Sequence, residues 1–207
     1  MYNNVTLPDG KYLDTVLTKL PHKKIIYKYL TGCGATHLEL ISKRNSILIE
    51  PYIPVILGKA SEKIFPVHGD VHTDDIVDYL SKKRNYYKIV STPEGLRKII
   101  NACIELDMNI YKMFFLVVDE CEKLIQDVDF RPGIIEVMDE FFKFKKSSFI
   151  SATPIPPSDP RFKEKEFEDF FIHPEIKKPI PIDIYSTNNL ASTIKNYFNK
   201  HKVDHYI

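Results

Sequence analysis

At 207 residues, 43% of them hydrophobic and 28% charged, the chain has the composition of an ordinary soluble globular protein with enough length to bury a sizeable core. Its net charge of +1 excludes a global basic field for nucleic acid and an acidic excess that would signal disorder, so any nucleic-acid surface has to be local. Cys33, Cys103 and Cys121 are odd in number and lack C-x-x-C or metal-ligand spacing, which points to packing residues in a reducing cytosol.

The N-terminus, Met1-Tyr2-Asn3-Asn4, has no positive region followed by an apolar run, and no stretch approaches the roughly 18 apolar residues of a membrane span. A cytoplasmic protein with no membrane partner is expected. Along the chain, short β-rich runs alternate with segments of helical period, the pattern of an α/β domain on a mainly parallel sheet with helices on both faces. Strands are predicted at Lys24–Leu30, Ser46–Glu50, Lys63–Val67, Lys88–Val90, Met113–Val118, Ser147–Ile150 and Ile182–Tyr185. Met113–Val118 is apolar throughout, as burial on both faces requires.

Helix starts are marked as well. Thr73-Asp74-Asp75 opens one with Ile76, Val77 and Leu80 inward. Thr92-Pro93-Glu94 opens another, whose Leu96, Ile99, Ile100, Cys103 and Ile104 make one stripe. Phe141, Phe142 and Phe144 read as core. Seven prolines between Pro154 and Pro181 predict a long loop or a crossing between domains. Asn188-Asn189 then opens a helix with Leu190, Ile194 and Phe198 inward, and Val203–Ile207 reads as the start of a strand. The expected organisation is a nucleotide-binding domain over 1–175 and, over 176–207, a linker and the start of a second, truncated domain.

Three short motifs follow three of the predicted strands, where an open parallel sheet binds its ligands. Thr31-Gly32-Cys33-Gly34-Ala35-Thr36 joins a strand to a helical segment. Its glycines let the backbone curl toward a ligand, and a helix N-terminus offers N–H groups to an anion. Against a P-loop, G-x-x-x-x-G-K-[ST], Gly34 and Thr36 match, Ala35 stands in place of the lysine and Tyr29 in place of the first glycine. The bland reading is a structural turn. Asp119-Glu120 ends a buried strand, where one carboxylate can hold Mg²⁺ and the next can orient or deprotonate water. The bland reading is a cap on the helix expected at Glu122–Asp127. Ser151-Ala152-Thr153-Pro154 ends a third strand; by itself it reads as a strand stop. His37, His68 and His72 lack zinc spacing and read as surface or loop residues, and Lys82-Lys83-Arg84 and Lys143–Lys146 read as solvated faces.

In this order the three motifs resemble the first motor domain of superfamily-2 helicases, the DEAD/DEAH-like group, over roughly residues 24–154. The Asp-Glu box and Ser-Ala-Thr-Pro are its most specific parts. The resemblance implies a RecA-like P-loop domain that binds ATP at Gly32, Cys33, Gly34, Ala35 and Thr36, with Mg²⁺ on Thr36 and Asp119. It implies that Glu120, beside Asp119, is the catalytic base, and that Ser151 and Thr153 couple the nucleotide site to domain movement. Pro51, Thr92 and Pro93 stand where the family contacts nucleic acid, DNA or RNA. The departures are the missing lysine, the lack of a glutamine-bearing adenine motif upstream of residue 24, and a second RecA-like domain represented only by its first strand. That second domain brings arginines whose counterparts in related phosphoryl-transfer systems are worth about 10³–10⁵ in rate. A weakly active motor half, continuing past Ile207 in the native product, is therefore expected. The alternatives are a catalytically dead RecA-like scaffold and, more remotely, an α/β enzyme that uses Asp119 and Glu120 on a metal.

Overall fold

A computed structural model of the chain describes residues 3–120, 133–153, 157–175 and 186–201. The chain divides into two compact units, Met1–Glu175 and Ile176–Ile207. The first unit is an α/β fold built on one eight-stranded sheet. Its strands are β1 (Asn4–Leu7), β2 (Lys24–Lys28), β3 (Ser46–Ile49), β4 (Phe65–Val67), β5 (Lys88–Ser91), β6 (Phe115–Val118), β7 (Lys146–Ser151) and β8 (Glu168–Pro174). They lie in the order β1-β8-β2-β7-β6-β3-β5-β4, and every pairing is parallel.

The sheet is wholly, not mainly, parallel, and both faces are covered. Alternate side chains of one strand enter different cores. Ile25 and Tyr27 join one cluster and Ile26 the other; Leu116 and Val118 join the first, Phe115 and Val117 the second. On the first face pack α3 (Thr73–Ser81), through Ile76 and Leu80, and α4 (Gly95–Glu105), through Leu96, Ile99 and Cys103. Phe141, the last residue of α6 (Gly133–Phe141), and Phe162 of α7 (Arg161–Glu164) join them. The Phe141 ring meets that of Phe149 edge-on at 4.3 Å between centroids. On the opposite face pack α1 (Ala35–Ile41), through Leu38, and α2 (Ile53–Lys59), through Ile56. The short turn α5 (Ile110–Met113) precedes β6.

Several expectations need correction. Met113 belongs to α5, which Asn109 caps by accepting from the Lys112 amide at 3.2 Å, so the strand begins at Phe115. The proline-rich stretch contains β8, which pairs with β1 on one side and β2 on the other. Proline ends that strand without interrupting it, and Phe170 and Ile172 supply its buried positions. β1 had no predicted counterpart. Ile104 is 70% exposed, on the solvent side of the α4 stripe.

In the second unit, α8 (Leu190–His201) starts where Asn189 accepts from the Ser192 amide at 3.1 Å. Leu190 and Ile194, expected inward, are 68% and 44% exposed. The strands expected at Ile182–Tyr185 and Val203–Ile207, the helix at Glu122–Asp127, the side chain of Phe198, Cys121 and Pro154 all lie outside the described residues. Among the described residues no helix is long and apolar enough to cross a membrane.

Candidate functional site

Because every strand runs the same way, all the strand-end motifs emerge at one edge of the sheet. The glycine loop leaves β2, Ser151-Ala152-Thr153 leaves β7 and Asp119-Glu120 leaves β6, and these three strands are neighbours. Glu50 follows β3 next along, and Thr92 follows β5. The edge is tied by strand-end hydrogen bonds. Asp119 N–H donates to the Ile49 carbonyl at 3.0 Å, Glu50 N–H to Ser91 at 2.9 Å and Thr92 N–H to Val67 at 3.0 Å.

The loop turns through two left-handed glycines, Gly32 at φ 71° and Gly34 at φ 84°. A β-carbon on Gly34 would lie 3.3 Å from that of Tyr12, so the turn is closed from outside by the N-terminal segment. Leu13 N–H donates to the Cys33 carbonyl at 2.9 Å. Between Leu7–Tyr12 and the loop residues Leu30, Gly32 and Cys33 a cavity of about 200 Å³ remains. Tyr29, at the position of the first P-loop glycine, stacks on His173 at 5.0 Å.

Ala35 is 2% exposed and packs in the core with Leu13 and Leu38. A lysine there would have to thread its stem through packed apolar atoms. Thr36 is half-buried and makes no hydrogen bond to Asp119. The helix that follows, α1, has seven residues, so its dipole is a minor source of positive potential. The Cys33 thiol is buried, and the Ala35 amide and the charge of Lys28 favour its ionised form. Burial dominates and pushes the thiol above its ordinary range.

Asp119 is the centre of the edge. Its side chain is 5% exposed, and its Oδ1 accepts from Lys28 Nζ at 2.9 Å and from the Glu120 amide at 2.9 Å. Lys28, the last residue of β2, is itself largely buried, with a side chain 12% exposed. Burial works against its charge, but the Asp119 carboxylate outweighs that and holds its pKa above the usual lysine value. Glu120 is half-buried and sits at φ 50°, a left-handed conformation that costs a residue with a β-carbon about 1–2 kcal/mol. Glu50 is buried and ion-paired to Lys59 of α2; burial first, and then the charge of Asp119, push its pKa up to about 7, against the pull of Lys59. Ser151 Oγ donates to the Thr153 carbonyl at 2.7 Å and accepts from its amide at 3.0 Å, which folds the Ser-Ala-Thr segment into a tight turn.

Among the described residues no group of three or more His, Cys, Asp or Glu side chains gathers as a metal cage. One buried carboxylate is nonetheless the donor set with which Mg²⁺ is held when phosphates and water complete its shell. Of the residues expected at nucleic acid, Pro51, Thr92 and Pro93 are buried, and Thr92 Oγ1 accepts from the Gly95 amide at 3.2 Å at the start of α4. Pro51 and Thr92 line a cleft of about 500 Å³ with Tyr52, Ile53, Pro54, Gly69 and Glu94. That lining holds one carboxylate and no lysine or arginine, so phosphate would find no cation in it.

Two contributors went unrecognised in the sequence. Lys28 had a signal: it is a cation at the end of an apolar strand, a few residues before the glycine loop. The Leu7–Tyr12 segment had none, because its contact with the loop arises only from the pairing of β1 beyond β8.

No protein-family model and no curated protein matches the chain. Among solved structures, the chain is similar to a DEAD box protein from the hyperthermophile Methanococcus jannaschii, at 17% sequence identity and a TM-score of 0.49. The likeness covers 72% of this chain and 45% of that one, so this chain spans less than half the length of the protein it resembles, and at that distance the likeness assigns no residue a role.

Proposed function

We propose that the chain is the nucleotide-binding half of a helicase-like ATPase, a RecA-like domain that takes ATP or ADP at the loop Gly32–Thr36 and acts on nucleic acid with a second such domain. The observation that carries this reading is the convergence of the glycine loop, Asp119-Glu120 and Ser151-Ala152-Thr153 from three adjacent parallel strands at one edge. In it the loop amides of Gly32–Thr36 meet the phosphates. Asp119 and Thr36 hold Mg²⁺, which would neutralise phosphate charge; Glu120 orients water; and Ser151 and Thr153 relay the state of the site. Nucleic acid would cross near Pro51, Thr92 and Pro93, and the cation-free cleft makes that contact weak for this chain by itself.

Two observations favour a second reading, a RecA-like scaffold without turnover: Ala35 is buried in the core, and Lys28 already neutralises Asp119. Calorimetric titration with Mg-ATP and Mg-ADP separates the two. Saturable binding that weakens on Asp119→Asn supports the nucleotide site. No binding at millimolar nucleotide by the folded protein overturns it and leaves the scaffold.

A further inference from the structure

We propose that Lys28 is the phosphate-binding lysine of this site, supplied from the end of β2 in place of the loop position held by Ala35. This rests on the nucleotide reading above and deepens it. A loop that cradles phosphates needs a mobile cation on the same side as its amides, since backbone N–H groups alone leave most of the anion's charge uncompensated. Position 35 does not provide one, because its side chain points into the core beside Leu13 and Leu38. Lys28 does. It is the last residue of β2, the strand that leads into the loop, and its ammonium meets Asp119 at 2.9 Å at the same carboxyl edge of the sheet. A four-carbon stem on the last residue of a strand has the reach that a phosphate-seeking ammonium requires once it leaves Asp119.

The Lys28–Asp119 pair is then the nucleotide-free state of a switch. Phosphate draws Lys28 away from Asp119, and the released carboxylate becomes available to Mg²⁺. The sign of one effect follows. Without metal, Asp119 competes with phosphate for Lys28, so removing its charge should help the nucleotide. With Mg²⁺, Asp119 is needed as a ligand, so the same change should hurt.

The test is ADP titration of the parent, Lys28→Met and Asp119→Asn proteins, in EDTA and in Mg²⁺, with folding checked by circular dichroism. The expected result in EDTA is a loss of roughly tenfold to a hundredfold for K28M, the worth of one charge-assisted contact. D119N should bind severalfold more tightly than the parent in EDTA and more weakly in Mg²⁺. A folded K28M that binds ADP within twofold of the parent overturns the role of Lys28 while leaving the nucleotide site standing. Should K28M fail to fold with Asp119 buried and unpaired, D119N decides alone: a gain in EDTA supports the proposal, and no gain overturns it. No ADP binding by the parent overturns the nucleotide reading, and Lys28's role with it.

Discussion

Two clusters of buried charge lie at opposite edges of the same sheet, and they are built to different rules. At the amino edge, Glu39 of α1, fully buried, binds Arg44 in an ion pair and accepts from Ser42 Oγ at 3.1 Å and from Ser46 Oγ. Lys88 Nζ completes the cluster by donating to the Glu39 carbonyl at 2.7 Å and to Ser42 and Ser46 Oγ at 3.0 Å each. The backbone around it is ordinary, and each charge is enclosed by partners. At the carboxyl edge, Lys28–Asp119 and Glu50–Lys59 form two ion pairs at the strand ends, with a left-handed glutamate next to Asp119 and two cavities along the same edge. A buried network with all its partners in place fixes a structure. A cluster that combines strain, a perturbed carboxyl and access from a loop is where function is sought.

The contrast is broken most severely by Glu39→Ala. It removes the carboxylate partner of Arg44 while Lys88 keeps its hydrogen bonds to the residue-39 carbonyl, Ser42 and Ser46, and removing one partner of a buried ion pair typically costs about 3–5 kcal/mol. Urea unfolding should show a loss of that order, with nucleotide affinity unchanged in protein that remains folded. A change in affinity comparable to that of K28M would mean the two edges are one system.

The edges also separate by pH. The folded protein holds the Glu50 proton more tightly than the unfolded chain does, with a pKa of about 7 against 4.5. This contribution to stability is complete below about pH 4.5 and is lost as pH rises to about 7, on the order of 3 kcal/mol in all. Lys88 behaves oppositely. Burial lowers its pKa to about 8 from 10.5, so its cost is present below about pH 8 and relieved as pH climbs toward 10.5. Urea midpoints for Glu50→Gln, subtracted from the parent's, should isolate the first slope. A flat difference would mean that Lys59 keeps Glu50 ionised throughout.

Gly34→Ala should cost about 1–2 kcal/mol, because a β-carbon at φ 84° is strained and also meets Tyr12 at 3.3 Å. Gly32→Ala, with open space around it, should lose only the conformational part of that. Thermal melts that rank Gly32→Ala as the worse would show that the N-terminal segment does not close the loop.

Much of this arrangement is legible in the sequence, and the reasons for the rest are physical. Strands buried on both faces announce themselves through apolar runs such as Phe115–Val118, and parallel order sends every motif to one edge. β8 stayed hidden because the prolines around Phe170 and Ile172 signal loops, while its place beside β2 depends on partners far along the chain. Pro51, Thr92 and Pro93 are buried, and burial is a property that motif spacing does not encode. The absence at position 35 was plain to read, whereas the cation at position 28 became meaningful only when Asp119 was found 2.9 Å away.

The smallest expected effect is the most informative about Glu120. Glycine at a left-handed position removes the strain of a β-carbon, although it adds freedom to the unfolded chain, so Glu120→Gly should gain up to about 1 kcal/mol in stability. Asp107→Gly is the control: Asp107 lies at φ 52° just past the end of α4, where a helix often closes on a left-handed residue, and it should respond similarly. If Glu120 served chiefly as a helix cap, its removal would lower the melting temperature while the control raised it. If it serves the bound nucleotide, the melting temperature rises for both variants, and only Glu120→Gly alters nucleotide turnover. Strain kept at one residue, against a more stable alternative one substitution away, then has its explanation in the chemistry at the sheet edge.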